Sequence, residues 1–338
     1  MKKSIIVILV IVLLLTATLS LVGCKQSFNA KSVKAQIDDN LHWHWGGGET
    51  CVYDVFDGDE LVGTYTSIQR LLNATDVEVT TSIEEQNATL SNFSGYAFIS
   101  ILSASVDGKE YTRITQSYTD EYLSPVLSYV KEVYEQTVEI KTAYANNRIN
   151  ATFIVDGEIS EDSVKSKAAM LYDNAYVYQF ARATDLASAL SITVPTYTVD
   201  SERTQVKAST FSTSYSSSSS VLDNEFVIER NFVETDENSG GSSYGIEDDT
   251  HKKVESTDDE GNVTTTYSLT VTNIIPTVKV TFASTNSSLV TGYIYCYISS
   301  SPMRMKDGDT LSNRVVVMMQ EGKMTYKLKS VQRTYKNN

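Results

Sequence analysis

The stretch "YAFISILSASVDGKEYTRITQSY", Tyr96 to Tyr118, decides the fold. On both sides of Asp107-Gly108 it runs through aromatic and β-branched residues suited to a pleated, half-buried surface. Asp and Gly tolerate the positive φ that a tight turn requires, so the segment predicts two antiparallel strands joined by a hairpin. The same punctuation recurs on either side. "CVYDVFDGDELVGTYTSIQRLL" (51–72) turns at Asp57-Gly58, "RINATFIVDGEIS" (148–160) at Asp156-Gly157, and "MRMKDGDTLSNRVVVMM" (303–319) at Asp307-Gly308. Glu260-Gly261-Asn262 and Glu321-Gly322-Lys323 divide two further stretches, "KVESTDDEGNVTTTYSLTV" and "RVVVMMQEGKMTYKLKSV", into paired runs. Consecutive hairpins predict a mainly β chain built on a meander. A content of 21 Tyr and only 4 Pro agrees with that.

Within "GYIYCYIS" (292–299), alternation places Tyr293, Tyr295 and Tyr297 on one face and Ile294, Cys296 and Ile298 on the other. Both faces are apolar enough to be covered. Helical spacing is confined to "EDSVKSKAAMLYD" (161–173) and "ATDLASALS" (183–191), where one or two short helices are expected. "LSYVKEVYEQTVEIKTAYANN" (127–147) reads as a strand from about Thr137, while its first half fits helix and strand equally. Two low-complexity stretches are expected as surface loops near 209–220, "STFSTSYSSSSS", and 234–262, the latter an acidic excursion inside a hairpin pairing "FVIERNFV" with "TTYSLTVT".

The N-terminus, MKKSIIVILVIVLLLTATLSLVGCKQ, has two lysines, an apolar run from Ile5 to Leu15, and then Leu21-Val22-Gly23-Cys24. That order is a secretory signal, and Leu-Val-Gly-Cys resembles the lipobox of bacterial lipoproteins. The resemblance implies cleavage before Cys24 and lipid on its thiol, the nucleophile that lipid transfer needs. A retained anchor helix is the alternative, but charge, apolar run, small residue and cysteine all fall in register for the lipoprotein. The expected organisation is a signal peptide (1–23), a tether (24–45) and a single antiparallel β domain (46–338). The product is expected to be exported and anchored to a membrane through its N-terminal lipid. Loss of Lys2 and Lys3 would take the net charge from −14 to −16. So acidic a chain repels phosphate backbones, which argues against nucleic-acid partners and against polybasic docking on lipid.

Candidate chemistry is sparse. His42 and His44, in "HWHWGGGETC" (42–51), are two apart, so a strand would direct both rings to one face as two metal ligands. Neither H-E-x-x-H nor C-x-x-C accompanies them, and Trp43, Trp45 and the glycines read better as the join between tether and first strand. Asp54, Asp57, Asp59 and Glu60 crowd around Gly58 without the EF-hand order, and a turn explains them equally. Gly241-Ser242-Ser243-Tyr244-Gly245 matches G-x-S-x-G in letters but lies in the acidic loop with no strand-turn-helix setting. With three histidines in all, a His-dependent enzyme has few places for its base, so no enzymatic activity and no cofactor are expected. Cys51 and Cys296 are an even pair in an exported chain; a disulfide and two separate buried thiols both fit.

The order of "YDVFDGDELVGTYTSIQR", "YANNRINATFIVDG" with "LYDN", "RATDLASAL", "VKVTFA", "YIYCYISSSPMRM" and "RVVVMMQEGKMTYKLKSV" resembles the Lol-type lipoprotein-carrier half-barrel and its uncharacterised exported relatives. The resemblance spans most of residues 51–331. It implies a large curved antiparallel sheet (half-barrel) wrapping one or two short helices, with a cavity for a lipid-like or other amphipathic ligand. The serine run, the acidic hairpin and the lipobox depart from the soluble carrier, and no site residue carries over. A surface module binding glycan or protein partners, and a hydrolase, are the alternative functions.

Overall fold

The computed structural model describes residues 48–79, 88–145, 147–165, 172–173, 176–183, 192–233, 251–257, 261, 263–284, 292–297, 303–304, 310–311 and 314–334. The segments read from sequence as signal peptide and tether, with Cys24, His42 and His44, and also Ser243, lie outside them. The first half forms eight strands: β1 (Gly48–Asp57), β2 (Glu60–Val79), β3 (Ala88–Val106), β4 (Lys109–Thr119), β5 (Pro125–Val133), β6 (Thr137–Ala145), β7 (Arg148–Val155) and β8 (Glu158–Lys165). A short helix, α1 (Val177–Ala183), follows. Next come β9 (Ile192–Val199), β10 (Val206–Val233), β11 (His251–Thr257), β12 (Val263–Ser284) and β13 (Gly292–Tyr297). The chain closes with β14 (Met303–Arg304), β15 (Thr310–Leu311), β16 (Val316–Glu321) and β17 (Met324–Thr334).

One antiparallel sheet runs β8-β7-β6-β5-β4-β3-β2-β1-β17-β16-β13-β12-β10-β9, with β11 added beside β12; β14 and β15 pair separately. Three of the hairpins read from Asp-Gly are present, and the turn at Asp307-Gly308 lies outside the described residues, between the paired strands β14 and β15. Val106 faces Lys109 around Asp107-Gly108, Asp57 faces Glu60, and Val155 faces Glu158. Asp107 and Asp156 stand at φ +51° and +50°, and the glycines after them are also left-handed, the conformation these residue types accept most readily. β1 joins the meander to its far end by pairing with β17, Cys51 opposite Val331.

The sheet curves until it nearly closes into a barrel. Register shifts at Val52/Tyr53, Val55/Phe56 and Tyr118/Thr119 accentuate the bend. Side chains, not ladder bonds, bring the two ends together: the Val206 N–H donates to Asp162 Oδ2 at 2.8 Å, and Arg203 reaches Glu132 at 3.3 Å. Tyr197 and Val206 pack on Val138, Ile140, Ile149 and Phe153 from the opposite end. α1 fills the concave side. Phe180 lies against Tyr172, ring centroids 4.4 Å apart, and Tyr176 stacks on Phe98 at 5.4 Å.

Several expectations need correction. Residues 209–220 are no loop: they lie within β10, where Phe211–Ser216 and Ser219–Ser220 pair with β12, and β9 flanks the strand only to Thr213. The serines cost little there because backbone ladder bonds on the β12 side, broken by a shift between Ser216 and Ser219, hold the strand. The acidic stretch is not loop throughout, since His251–Thr257 is β11 on the free side of β12. "FVIERNFV" does pair with "TTYSLTVT", Phe232 opposite Tyr267. Of the helical candidates, Glu161–Lys165 belongs to β8, whose exposure alternates with period two. Residues 184–191 lie outside the described residues, and the helix found stands just before them. Both halves of 127–147 are strands, because Leu127 and Val130 fall on opposite faces of β5.

Candidate functional site

Hairpin turns gather at one end of the barrel. Asp57 closes β1, Asp107 follows β3, Tyr134 follows β5 and Lys323 precedes β17, and all four surround a half-open cavity of about 340 Å³. Its walls are Leu102, Val106, Tyr111, Met324 and Tyr326. Strand alternation accounts for this lining, since Leu102 faces Arg113 across the β3–β4 ladder and Ala104 faces Tyr111, so all four side chains point to the concave face.

An ion pair forms the polar floor. Arg113 Nη1 and Nη2 donate to Glu321 Oε1 and Oε2 at 3.2 and 2.9 Å, the two-bond geometry that matches guanidinium to carboxylate. The Tyr326 hydroxyl donates to Glu321 Oε2 at 3.3 Å. The Glu321 carboxylate raises Arg113 further above its ordinary range. Burial pushes the Glu321 carboxyl upward, but Arg113 outweighs it and holds the group below the usual carboxylate range. Both members are therefore charged at neutral pH.

Aromatic rings meet edge to face around the opening. Tyr111 and Tyr134 lie 6.1 Å apart at 85°, and deeper in the wall the buried Tyr326 meets Tyr65, which lies behind the lining, at 5.4 Å and 77°. Lys109 Nζ sits 5.8 Å from the centroid of Tyr134 while bonded to Glu135 at 2.6 Å.

A second polar cluster is sealed in the core. Arg182 of α1 donates to both oxygens of Glu49, at 2.7 and 3.1 Å, and to the Arg314 carbonyl at 2.6 Å. Arg333 adds a bond to Glu49 at 2.7 Å. Burial works to raise the Glu49 pKa, but the two guanidiniums prevail and hold it down to about 2. The cluster ties helix, first strand and last strand together and has no opening for a ligand.

Cys51 and Cys296 are separate buried thiols. β17 and β16 stand between their strands, which at ~4.8 Å per strand step places the backbones roughly 14 Å apart, beyond the span of a disulfide. Burial raises the Cys296 thiol to about 12, and burial followed by the neighbouring Glu49 charge raises Cys51, so neither is a ready nucleophile. Of the acidic residues around Gly58, Asp57 lines the cavity and Asp54 pairs with Lys329 at 3.0 Å. Among the described residues no group of three His, Cys, Asp or Glu is arranged to hold a metal.

Sequence reasoning passed over Arg113, Glu321 and the tyrosines near them. A signal was present: in "YTRIT" the alternation that turns Tyr111 inward also turns Arg113 inward, and an arginine on a core-facing position calls for a partner.

No known protein family matches this sequence, and no curated protein does. Among solved structures, a β-barrel-like protein of the domain of unknown function DUF1849 from Brucella abortus is similar in fold, with 8% sequence identity and a TM-score of 0.42. The match covers 86% of this chain and 99% of that one.

Proposed function

We propose that this chain is an exported lipoprotein, anchored through Cys24, that binds an amphipathic ligand without catalysing a reaction. The observation that carries the reading is the half-open cavity of about 340 Å³, within the size range of small-ligand sites, with Leu102, Val106 and Met324 on its walls and Arg113–Glu321 on its floor. An apolar segment is accommodated by the walls, and a polar end remains at the turns. The lipobox supports attachment to a membrane, where amphiphiles are abundant.

The second reading, a convex surface for glycan or protein, has Tyr293 and Tyr295 on the outer face of β13. Lys279 already covers the Tyr293 ring at 4.0 Å, which leaves that ring less open to a partner and favours the cavity.

Native mass spectrometry of the purified protein is expected to show a co-purifying amphiphile, and a neutral polarity-sensitive dye is expected to bind. Met324→Trp, which fills the cavity from its rim, is expected to abolish dye binding without lowering the melting temperature. A bare protein mass together with no dye uptake rejects the binding function. Metabolic labelling with an alkyne fatty acid tests the anchor, and label persisting in Cys24→Ser would reject that site.

A further inference from the structure

Resting on the cavity reading above, the geometry points to an amphiphile with a cationic head group, an amine or quaternary ammonium, as the ligand of this site.

The charges at the cavity do not cancel. Arg113 and Glu321 neutralise each other through two hydrogen bonds, which leaves Asp57 and Asp107 against Lys323 and a net negative mouth. Neither aspartate forms an ion pair among the described residues; Asp107 feels the Lys109 ammonium, but Lys109 is bonded to Glu135, so the balance at the rim stays negative. The chain as a whole carries −14, which adds a long-range field of the same sign and raises the local concentration of cations.

The rings supply the second element of cation recognition. Tyr111 and Tyr134 meet at 85°, and Tyr326 stands on the β17 side of the same cavity. Ring faces attract a weakly hydrated cation, and a quaternary ammonium most readily, because its methyl groups also bury apolar surface. The protein already makes such a contact internally, with the Lys109 ammonium beside Tyr134 and a carboxylate, Glu135, at its back. A ligand head between Tyr111 and Asp107 would reproduce that arrangement beside it, at the same β3–β4 turn.

An anionic head group finds no comparable partner. The charge of Arg113 is already neutralised by Glu321, so an anion reaching its remaining N–H groups would lie beside that carboxylate, and Lys323 is a single exposed ammonium on a turn.

Octyltrimethylammonium, octanoate and octanol share one alkyl chain and differ in the charge of the head. Their binding is measured calorimetrically to the full chain in lipid nanodiscs, with empty nanodiscs subtracted. The cation is expected to bind about tenfold more tightly than octanoate, with octanol between them. In Asp57→Asn/Asp107→Asn the cation is expected to lose about tenfold while octanol is unchanged; Asn also accepts the φ of +51° at position 107. Equal binding of all three probes, or tighter binding of octanoate, overturns the head-group inference and leaves the cavity reading standing. If none of the three binds, the cavity reading fails with it.

Discussion

Glu49 is a carboxylate that sequence gives no reason to bury, yet it is 3% exposed, flanked by Arg182 and Arg333 in the middle of an apolar core. Removing one partner from such a cluster leaves an uncompensated buried charge, so Arg182→Met is expected to destabilise the protein by about 3–5 kcal/mol. The pH dependence follows from the direction of the shift. Glu49 has a folded-state pKa of about 2 against 4.5 for the free group, so it contributes stability that is fully present above about pH 4.5. That contribution is lost as pH falls through about 2, and it amounts to about 3 kcal/mol. In Arg182→Met the depression is smaller. The stability gap between wild type and variant is therefore expected to narrow as urea unfolding is followed from pH 7 toward pH 2. A gap constant across that range would show that Glu49 does not titrate there.

At the scale of elements, the strands were legible and the helix was not. Strands announced themselves because an Asp-Gly turn between alternating runs is a local signal: the φ requirement and the pleat act over a few residues, as at Asp107-Gly108. α1 carries no local signal of that kind. "VYQFARA" is short, begins without an acidic first turn, and is held by what it touches, with Phe180 and Ala181 fully buried and Tyr176 bonded to the Leu123 carbonyl at 2.9 Å. Packing decides such a segment, and packing is not written in nearby sequence. The serine run misled in the opposite direction, since its polarity suggested a loop while ladder bonds to β12 keep it extended. The candidate site was half legible for the same reason. Turns put Asp57 and Asp107 at one end, but the Arg113–Glu321 pair joins residues 208 apart and needs the closed sheet to meet. If tertiary contact holds α1, Phe180→Ala is expected to cost about 3–5 kcal/mol and to lower far-UV signal only when the whole sheet unfolds. Loss of helix at a lower temperature than the sheet would show that α1 is stable on its own terms.

Across the whole molecule, the sheet's continuity is uneven. β1 pairs on both sides, with β2 and β17, so the first and last described strands are locked at the centre of the sheet and not at its rim. The path of strands ends in β8 and β9, each with one ladder partner; the start of β10 meets β8 through the Val206 N–H to Asp162, the β9–β10 turn meets β5 through Arg203–Glu132, and Tyr197 of β9 joins the cluster around Phe153 of β7. A seam made of side chains opens without breaking a ladder, and such regions exchange amide hydrogens by local opening at a free energy below that of global unfolding. Hydrogen exchange is therefore expected to be fastest, among described strands of the barrel wall, in β8 and in Ile192–Val199, and slowest in β1 and β17. Asp162→Ala removes the charged acceptor of the Val206 amide, a bond of about 1.5–3 kcal/mol, and is expected to speed exchange on both sides of the seam while leaving β1 and β17 unchanged. The Arg203–Glu132 pair borders the cavity, since Glu132 faces Arg113 across the β4–β5 ladder, but Asp162 lies on β8, which contributes no residue to the cavity lining, so binding of an alkyl ligand should survive that substitution. Faster exchange spread uniformly over all strands would mean that the seam is part of one cooperative unit, and that the barrel stands or falls by its closure.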